Sequence, residues 1–166
     1  MGKIRGIGFD DGCKLCEHTN KEDAYSPTVA IEALILSCII VGMENRDVAT
    51  VYIPGVFIQA YMDEVVVHLK LHEKMAKLLV QLAPSLYRMF VRIMKGKPTL
   101  SVQLRKALHG TLRAEYLFWK RLSDQLIKWH SVLNGYNPCV ENKEICKSQC
   151  TIIWHVDDLK TECLTK

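Results

Sequence analysis

The stretch TIIWHVDDLK, residues 151–160, decides how this chain reads. Thr151 to Trp154 are β-branched or aromatic and suit a strand. They run into two adjacent aspartates, Asp157 and Asp158. Neighbouring carboxylates repel when ionised, and a bound divalent cation reverses that cost. A solvated turn is the plain alternative. A metal site of the phosphoryl-transfer kind asks for a third carboxylate on a neighbouring strand.

Composition sets the frame around that question. A chain of 166 residues reads as one domain, long enough to bury a real core. Apolar residues at 49% and charged residues at 24% are ordinary globular values, which excludes a disordered or fibrous chain. A net charge of +4 is compatible with a polyanionic partner without demanding one. MGKIRGIGFDDG, at the N-terminus, has no apolar run of the secretory kind. The longest apolar stretch, Val29 to Val41, is too short to span a bilayer and carries Glu32. The expectation is an intracellular protein, cytoplasmic or nuclear, with no membrane partner. Its seven scattered cysteines then read as reduced thiols. Cys13 and Cys16 form a CxxC with His18 close by, and Cys139, Cys146 and Cys150 are further candidate ligands. Their irregular spacing argues against structural zinc, which takes four ligands in paired spacing.

Along the chain, residues 1–25 are polar, Gly-rich and aperiodic, an irregular arm. Ser26-Pro27 predicts a helix start, with Ser as N-cap and Pro in the first turn. The helix is apolar almost all round to Met43, which predicts burial. DVATVYI (Asp47 to Ile53) reads as a strand stopped by Pro54-Gly55. Val56 to Met62 suits one or two helical turns. VVVHLKL (Val65 to Leu71) reads as a strand, and EKMAKLLVQLA as a helix ended by Pro84. VRIM and PTLSVQL flank a Lys-Gly-Lys turn and predict a hairpin. TLRAEYLFWKRLSDQLIKW is the strongest helix, with Leu112, Tyr116, Trp119, Leu122 and Leu126 on one face. CVENKEICKSQCTIIWHV predicts two strands joined by a polar turn, the second delivering the aspartates. The expected architecture is α+β, a mixed or antiparallel sheet packed by helices on one side.

The motifs resemble a known family. WHVDDL is similar to the aromatic-x-Asp-Asp hairpin of reverse transcriptases, in the copia-type retrotransposon form that reads Tyr-Val-Asp-Asp. KALHGTLRAEYLFWKRL (Lys106 to Leu122) resembles the family's SLYGLKQAPRQWNERL segment. NPCVENK (Asn137 to Lys143) resembles DPCVYIK, and SPTVAIEALILSCII resembles SPVVRMTSIRLLLALA. The four motifs occur in order and at similar spacing from about Thr19 to Lys160. The resemblance implies an incomplete fingers–palm domain over 26–160, after the arm of 1–25 and before a tail of 161–166. It covers neither the thumb nor the rest of the polyprotein.

The family's first catalytic aspartate lies in a strand reading MDVKTAFLNGDLEEEIYM. One register sets VYIPGVFIQAYMDEVVV (Val51 to Val67) on it, with Tyr52 at the aspartate position. Phe57 then falls on the aromatic that screens the nucleotide's sugar 2′ position. The other register uses DVATVY, with Asp47 as the aspartate and Tyr52 as the aromatic; it leaves the remainder unmatched. The first is the expected one, since register fixes which side chain faces a site.

In that register Tyr stands at both aspartates of the nearest pattern, positions 52 and 61. His109 stands for a Tyr, and Arg113 for a Gln near the nucleotide. Such departures resemble decay of an element. What the resemblance implies is RNA-directed DNA synthesis with an RNA template, a DNA primer and dNTP, through two magnesium ions. Asp157 and Asp158 would be the catalytic and metal-binding pair, with Phe57 and Arg113 against the nucleotide. Tyr52 in the third position predicts a catalytically impaired enzyme, or a nucleic-acid-binding remnant. Lys95, Lys97, Arg105, Lys106, Arg113, Lys120 and Arg121 are candidate backbone contacts. Trp119 and Phe118 read as core rather than as a base-stacking platform. His68, His72 and Glu73 suggest a metal, but LKL between the histidines reads as strand.

Overall fold

The structure is a computed structural model and describes residues 26–62, 66–111 and 113–164. Cys13, Cys16, His18 and the arm of 1–25 lie outside the described residues, as does Leu112. The elements in chain order are α1 (Ile31–Glu44), β1 (Asp47–Tyr52), α2 (Val56–Gln59), β2 (Val67–His72), α3 (Glu73–Leu82), α4 (Pro84–Tyr87), a 3-10 turn (Arg88–Phe90), β3 (Val91–Met94), β4 (Lys97–Leu104), α5 (Ala114–Lys128), β5 (Val132–Leu133), β6 (Val140–Ile145), β7 (Ser148–His155) and β8 (Asp158–Cys163). The fold is α+β with antiparallel sheets, but the single expected sheet is two. One has five strands in the order β1-β8-β7-β6-β5, the other three in the order β2-β4-β3.

The single expected domain likewise divides into two compact units. One runs to Ala60 and resumes at Ala107; the other is Tyr61–Lys106. In the second unit β3 and β4 form the predicted hairpin. Lys95 and Gly96 both have positive φ, 51° and 75°, as a two-residue type I′ turn requires. α3 ends before Pro84 as predicted: it stops at Leu82, Ala83 is non-helical, and Pro84 then opens α4, its missing N–H costing nothing at a first helical position.

In the first unit, hairpins join the central strands. Cys146 and Lys147, at φ 52° and 64°, make a second turn of this kind between β6 and β7. The supposed tail is not a tail: β8 continues through Thr161 and Glu162 to Cys163. Helices cover both faces of the sheet, not one. Side chains alternate along a strand, so Lys160 and Glu162 face one way and Leu159 the other. Ser37 of α1 donates to Glu162 Oε2 at 2.6 Å on the first face. On the second, Trp154 is buried with Leu126 of α5 and with Cys139, and Trp119, Leu122, Ile152 and Leu159 pack around them. Trp119 is thus a core contact, its indole N–H donating to Pro138 O at 2.8 Å.

Two expectations about α1 fail. It starts at Ile31 after an extended Ala30, not at Ser26, whose hydroxyl donates to Pro27 O instead. The preceding segment is held to the core by Val29 and by the Cys139 thiol, which donates to Pro27 O. Nor is α1 largely buried. Ile31, Ile35, Leu36, Ile39 and Met43 are exposed, Met43 at 82%, and only Ser37 is buried outright. The sheet takes a narrow stripe, and the exposed apolar residues of α1 have no second partner among the described residues.

Cys150 and Cys163 are not free thiols but a disulfide linking β7 to β8. Thirteen residues apart in sequence, they are set opposite by the hairpin. Cys38 and Cys146 are free and exposed, and Cys139 is free and buried. Burial pushes the Cys139 thiol up to about 11, which makes it a poor thiolate donor.

Glu141 on β6 is fully buried beside Ile152, and neither carboxyl oxygen has a hydrogen-bond partner among the described residues. Desolvation raises its pKa from 4.5 to about 7. The neutral acid is therefore favoured in the folded state. Stability is greatest below the unfolded value near 4.5 and falls as pH rises through about 7, by on the order of 3 kcal/mol in total. We expect Glu141→Gln to remove that decline, so that urea unfolding shows the variant gaining on the native chain between about pH 5 and pH 8. A native-like decline in the variant would locate the titration elsewhere.

Candidate functional site

The β7–β8 hairpin carries the aspartates. His155 and Asp158 are cross-strand partners, so the loop is Val156-Asp157. Val156 has φ 54°. Positive φ is unusual for a β-branched residue and costs on the order of 1–3 kcal/mol, strain that tends to gather at functional sites. Asp157 is half-buried and Asp158 exposed. β1 lies alongside: the Ile53 N–H donates to Asp157 O at 2.9 Å, and Tyr52 pairs with Asp158. Directly opposed residues share a face with Cβ atoms about 5 Å apart. Tyr52, Asp158 and His155 therefore form a row across three strands, with the carboxylate in the middle. Tyr52 is 62% exposed. His155 in that row is a neighbour sequence reading missed, because only the pairing reveals it.

Asp47 pairs with Cys163 at the other end of β1. At about 3.4 Å per residue it lies roughly 17 Å from Tyr52. Tyr52, not Asp47, is therefore the β1 residue beside the hairpin.

Gly55, at φ 64°, turns the chain after β1 into α2, where Phe57 sits. The Phe57 ring lies 5.0 Å from that of His109, a tilted aromatic pair. Arg113 occupies the position before the first residue of α5, makes no side-chain capping hydrogen bond and is half-buried. In the other unit, Tyr61 is stacked under the Lys106 ammonium, 5.2 Å from its ring centre. Lys97 is engaged by Glu73 at 2.6 Å; that hydrogen bond lowers the carboxyl pKa and raises the amine's. The basic candidates are thus divided between the units, Lys95 to Lys106 in one and Arg113, Lys120 and Arg121 in the other. His68 and His72 lie on β2, as the strand reading expects, and His72 Nδ1 is 3.1 Å from Thr99 Oγ1.

The donor set around the hairpin is two carboxylates, the His155 imidazole and a phenol. Among the described residues no three His, Cys, Asp or Glu side chains are grouped to hold a metal ion. Magnesium binds by one or two carboxylates when substrate phosphates complete its shell. A bridged pair of ions calls for more anionic oxygen than this set offers, because a phenol is neutral near pH 7. Two-ion chemistry does not fit these residues.

No helix among the described residues is long and apolar enough to cross a membrane. Comparison with known protein families, with curated proteins and with solved structures finds no match for this chain.

Proposed function

We propose that this chain is a fingers–palm portion of a copia-type reverse transcriptase, an RNA-directed DNA polymerase, that has lost catalytic competence. The observation that carries the reading is the position of Tyr52, facing Asp158 across β1 and β8 beside the strained Asp157-bearing loop. A carboxylate at position 52 would make three at adjoining positions, on β1, on the β7–β8 loop and at the start of β8, an arrangement that suits divalent cations and phosphates. The phenol supplies bulk without charge. Division into two units, with the aspartates in one, suits a fingers–palm pairing. In this reading Asp157 and Asp158 are the remaining metal ligands, Phe57 and Arg113 line the dNTP position, and the partners are RNA template and DNA primer inside the cell. Losing a cation-bridging carboxylate removes several kcal/mol of transition-state stabilisation.

The expected result in a magnesium-dependent primer-extension assay on an RNA template is no incorporation above background. Salt-sensitive binding of an RNA–DNA hybrid without incorporation would mark a binding remnant. Robust extension by the native chain would refute the loss of competence.

A further inference from the structure

A cavity of about 390 Å³ lies between α1 and the first face of the five-stranded sheet, within the range of small-molecule sites. Its apolar wall is Ala33, Leu36 and Ile40 of α1 with Val140 and Ile153 opposite. Its polar side holds three asparagines, Asn134, Asn137 and Asn142.

Hydrogen bonding fixes how these carboxamides are turned. Asn134 Oδ1 accepts from the Tyr136 and Asn137 N–H groups at 2.8 and 3.1 Å. Asn137 Oδ1 accepts from the Cys139 N–H at 3.0 Å. Asn142 Oδ1 accepts from Thr151 Oγ1 at 2.9 Å and Gln149 Nε2 at 3.0 Å. In each, the carbonyl is committed and the NH₂ has no partner among the described residues. Asn137 is only 8% exposed as a residue, yet its NH₂ is not among the buried unpartnered polar atoms, so on the cavity lining it stays accessible and available to an acceptor there. The charged groups nearby compensate one another. Glu162 Oε2 accepts from Ser37 and from Lys160 at 2.8 Å, and Arg46 lies 3.8 Å from Oε1 while pairing with Glu44 at 2.7 Å. No unbalanced charge is left to select an ion.

We propose that this cavity binds an uncharged small molecule with a flat apolar body and carbonyl acceptors, the acceptors meeting the Asn137 and Asn142 NH₂ groups and the body lying against Leu36, Ile40, Val140 and Ile153. The site belongs to the first unit alone and is separate from the β7–β8 loop, so it stands whether or not the polymerase reading does.

The test uses the full chain, labelled with ¹⁵N, and three probes at millimolar concentration: phthalimide, 2-pyridone and benzamide. Indane is the hydrocarbon control, and benzoate the anionic one. Saturable shifts of the Asn137 and Asn142 side-chain NH₂ resonances are expected with at least one carbonyl probe, and weaker effects with indane and benzoate. Ala33→Trp, which fills the cavity from α1, should weaken that binding about tenfold or more. Because that variant can fail to fold, Asn142→Leu is examined beside it, with about a tenfold loss expected from the missing donor. The proposal is overturned if none of the carbonyl probes perturbs either NH₂ group. It is equally overturned if indane or benzoate binds as well as the carbonyl probes, or if a folded variant of either kind binds like the native chain.

Discussion

Replacing Tyr52 by aspartate is expected to tighten magnesium or manganese binding at the β7–β8 loop by about thirtyfold. The figure follows from charge alone. One extra carboxylate about 4 Å from a divalent ion is worth about 2 kcal/mol at the dielectric of water. The water value is the appropriate one, since Tyr52 and Asp158 are both exposed. The substitution also shortens the side chain and opens the space beside Asp158. Position 52 carries no buried packing, so the fold should tolerate it. Calorimetric titration of the native chain and the variant measures the change. Tyr52→Asn is the control, having similar size to Asp and no charge; its affinity should stay within a few-fold of native.

Trp154→Ala is expected to have the largest effect on stability, about 3–5 kcal/mol, with a fall in Tm of roughly 6–20 °C. Trp154 is among the largest fully buried side chains, at the centre of the contact between α5 and β7. Its indole N–H has no partner among the described residues, so part of its burial is costly. Trp154→Phe removes that donor and keeps most of the ring, and should cost under about 1.5 kcal/mol. Trp129, at the C-terminal end of α5, is exposed. Trp129→Ala should therefore lie within about 0.5 kcal/mol of native. Thermal and urea unfolding of the three variants would check the ordering. A Trp154→Ala protein as stable as Trp129→Ala would mean that α5 does not pack on this sheet.

The local elements were legible because their causes are local. β-Branched runs in DVATVY and TIIW, a Lys-Gly turn, and apolar spacing through Phe118 and Leu126 each dictate structure within a few residues. The failures arose where distant partners decide. Apolar residues all round α1 do not distinguish a buried helix from one with a single neighbour, and Ile35, Leu36 and Ile39 are exposed. Glu141 and Glu162 look like solvated charges in sequence. The hairpins bury both, Glu141 without a hydrogen-bond partner among the described residues and Glu162 with Lys160 and Ser37. The bond between Cys150 and Cys163 was hidden because their opposition depends on the β7–β8 turn. Helix coverage of both faces follows from strand alternation only once the register is known.

The candidate site was legible in pieces. The paired aspartates stood out beside an apolar strand. Their neighbour did not, since DVATVY offers Asp47 at one end and Tyr52 at the other. Choosing between them needed the longer match through Val67. The pairing of β1 with β8 puts Tyr52 beside Asp158 and Asp47 beside Cys163. Asn134, Asn137 and Asn142 lie close together in the chain, but nothing local in the sequence signalled a cavity beside them, because its apolar wall comes from α1.

The most direct measurement is a double-mutant cycle on manganese affinity between Tyr52→Asp and Asp158→Asn. If positions 52 and 158 share one cation, the gain from Tyr52→Asp should fall to within a few-fold of unity once Asp158 is neutralised, because the ion then loses its central ligand. The same gain of about thirtyfold in both backgrounds would contradict the account, as would no gain in either.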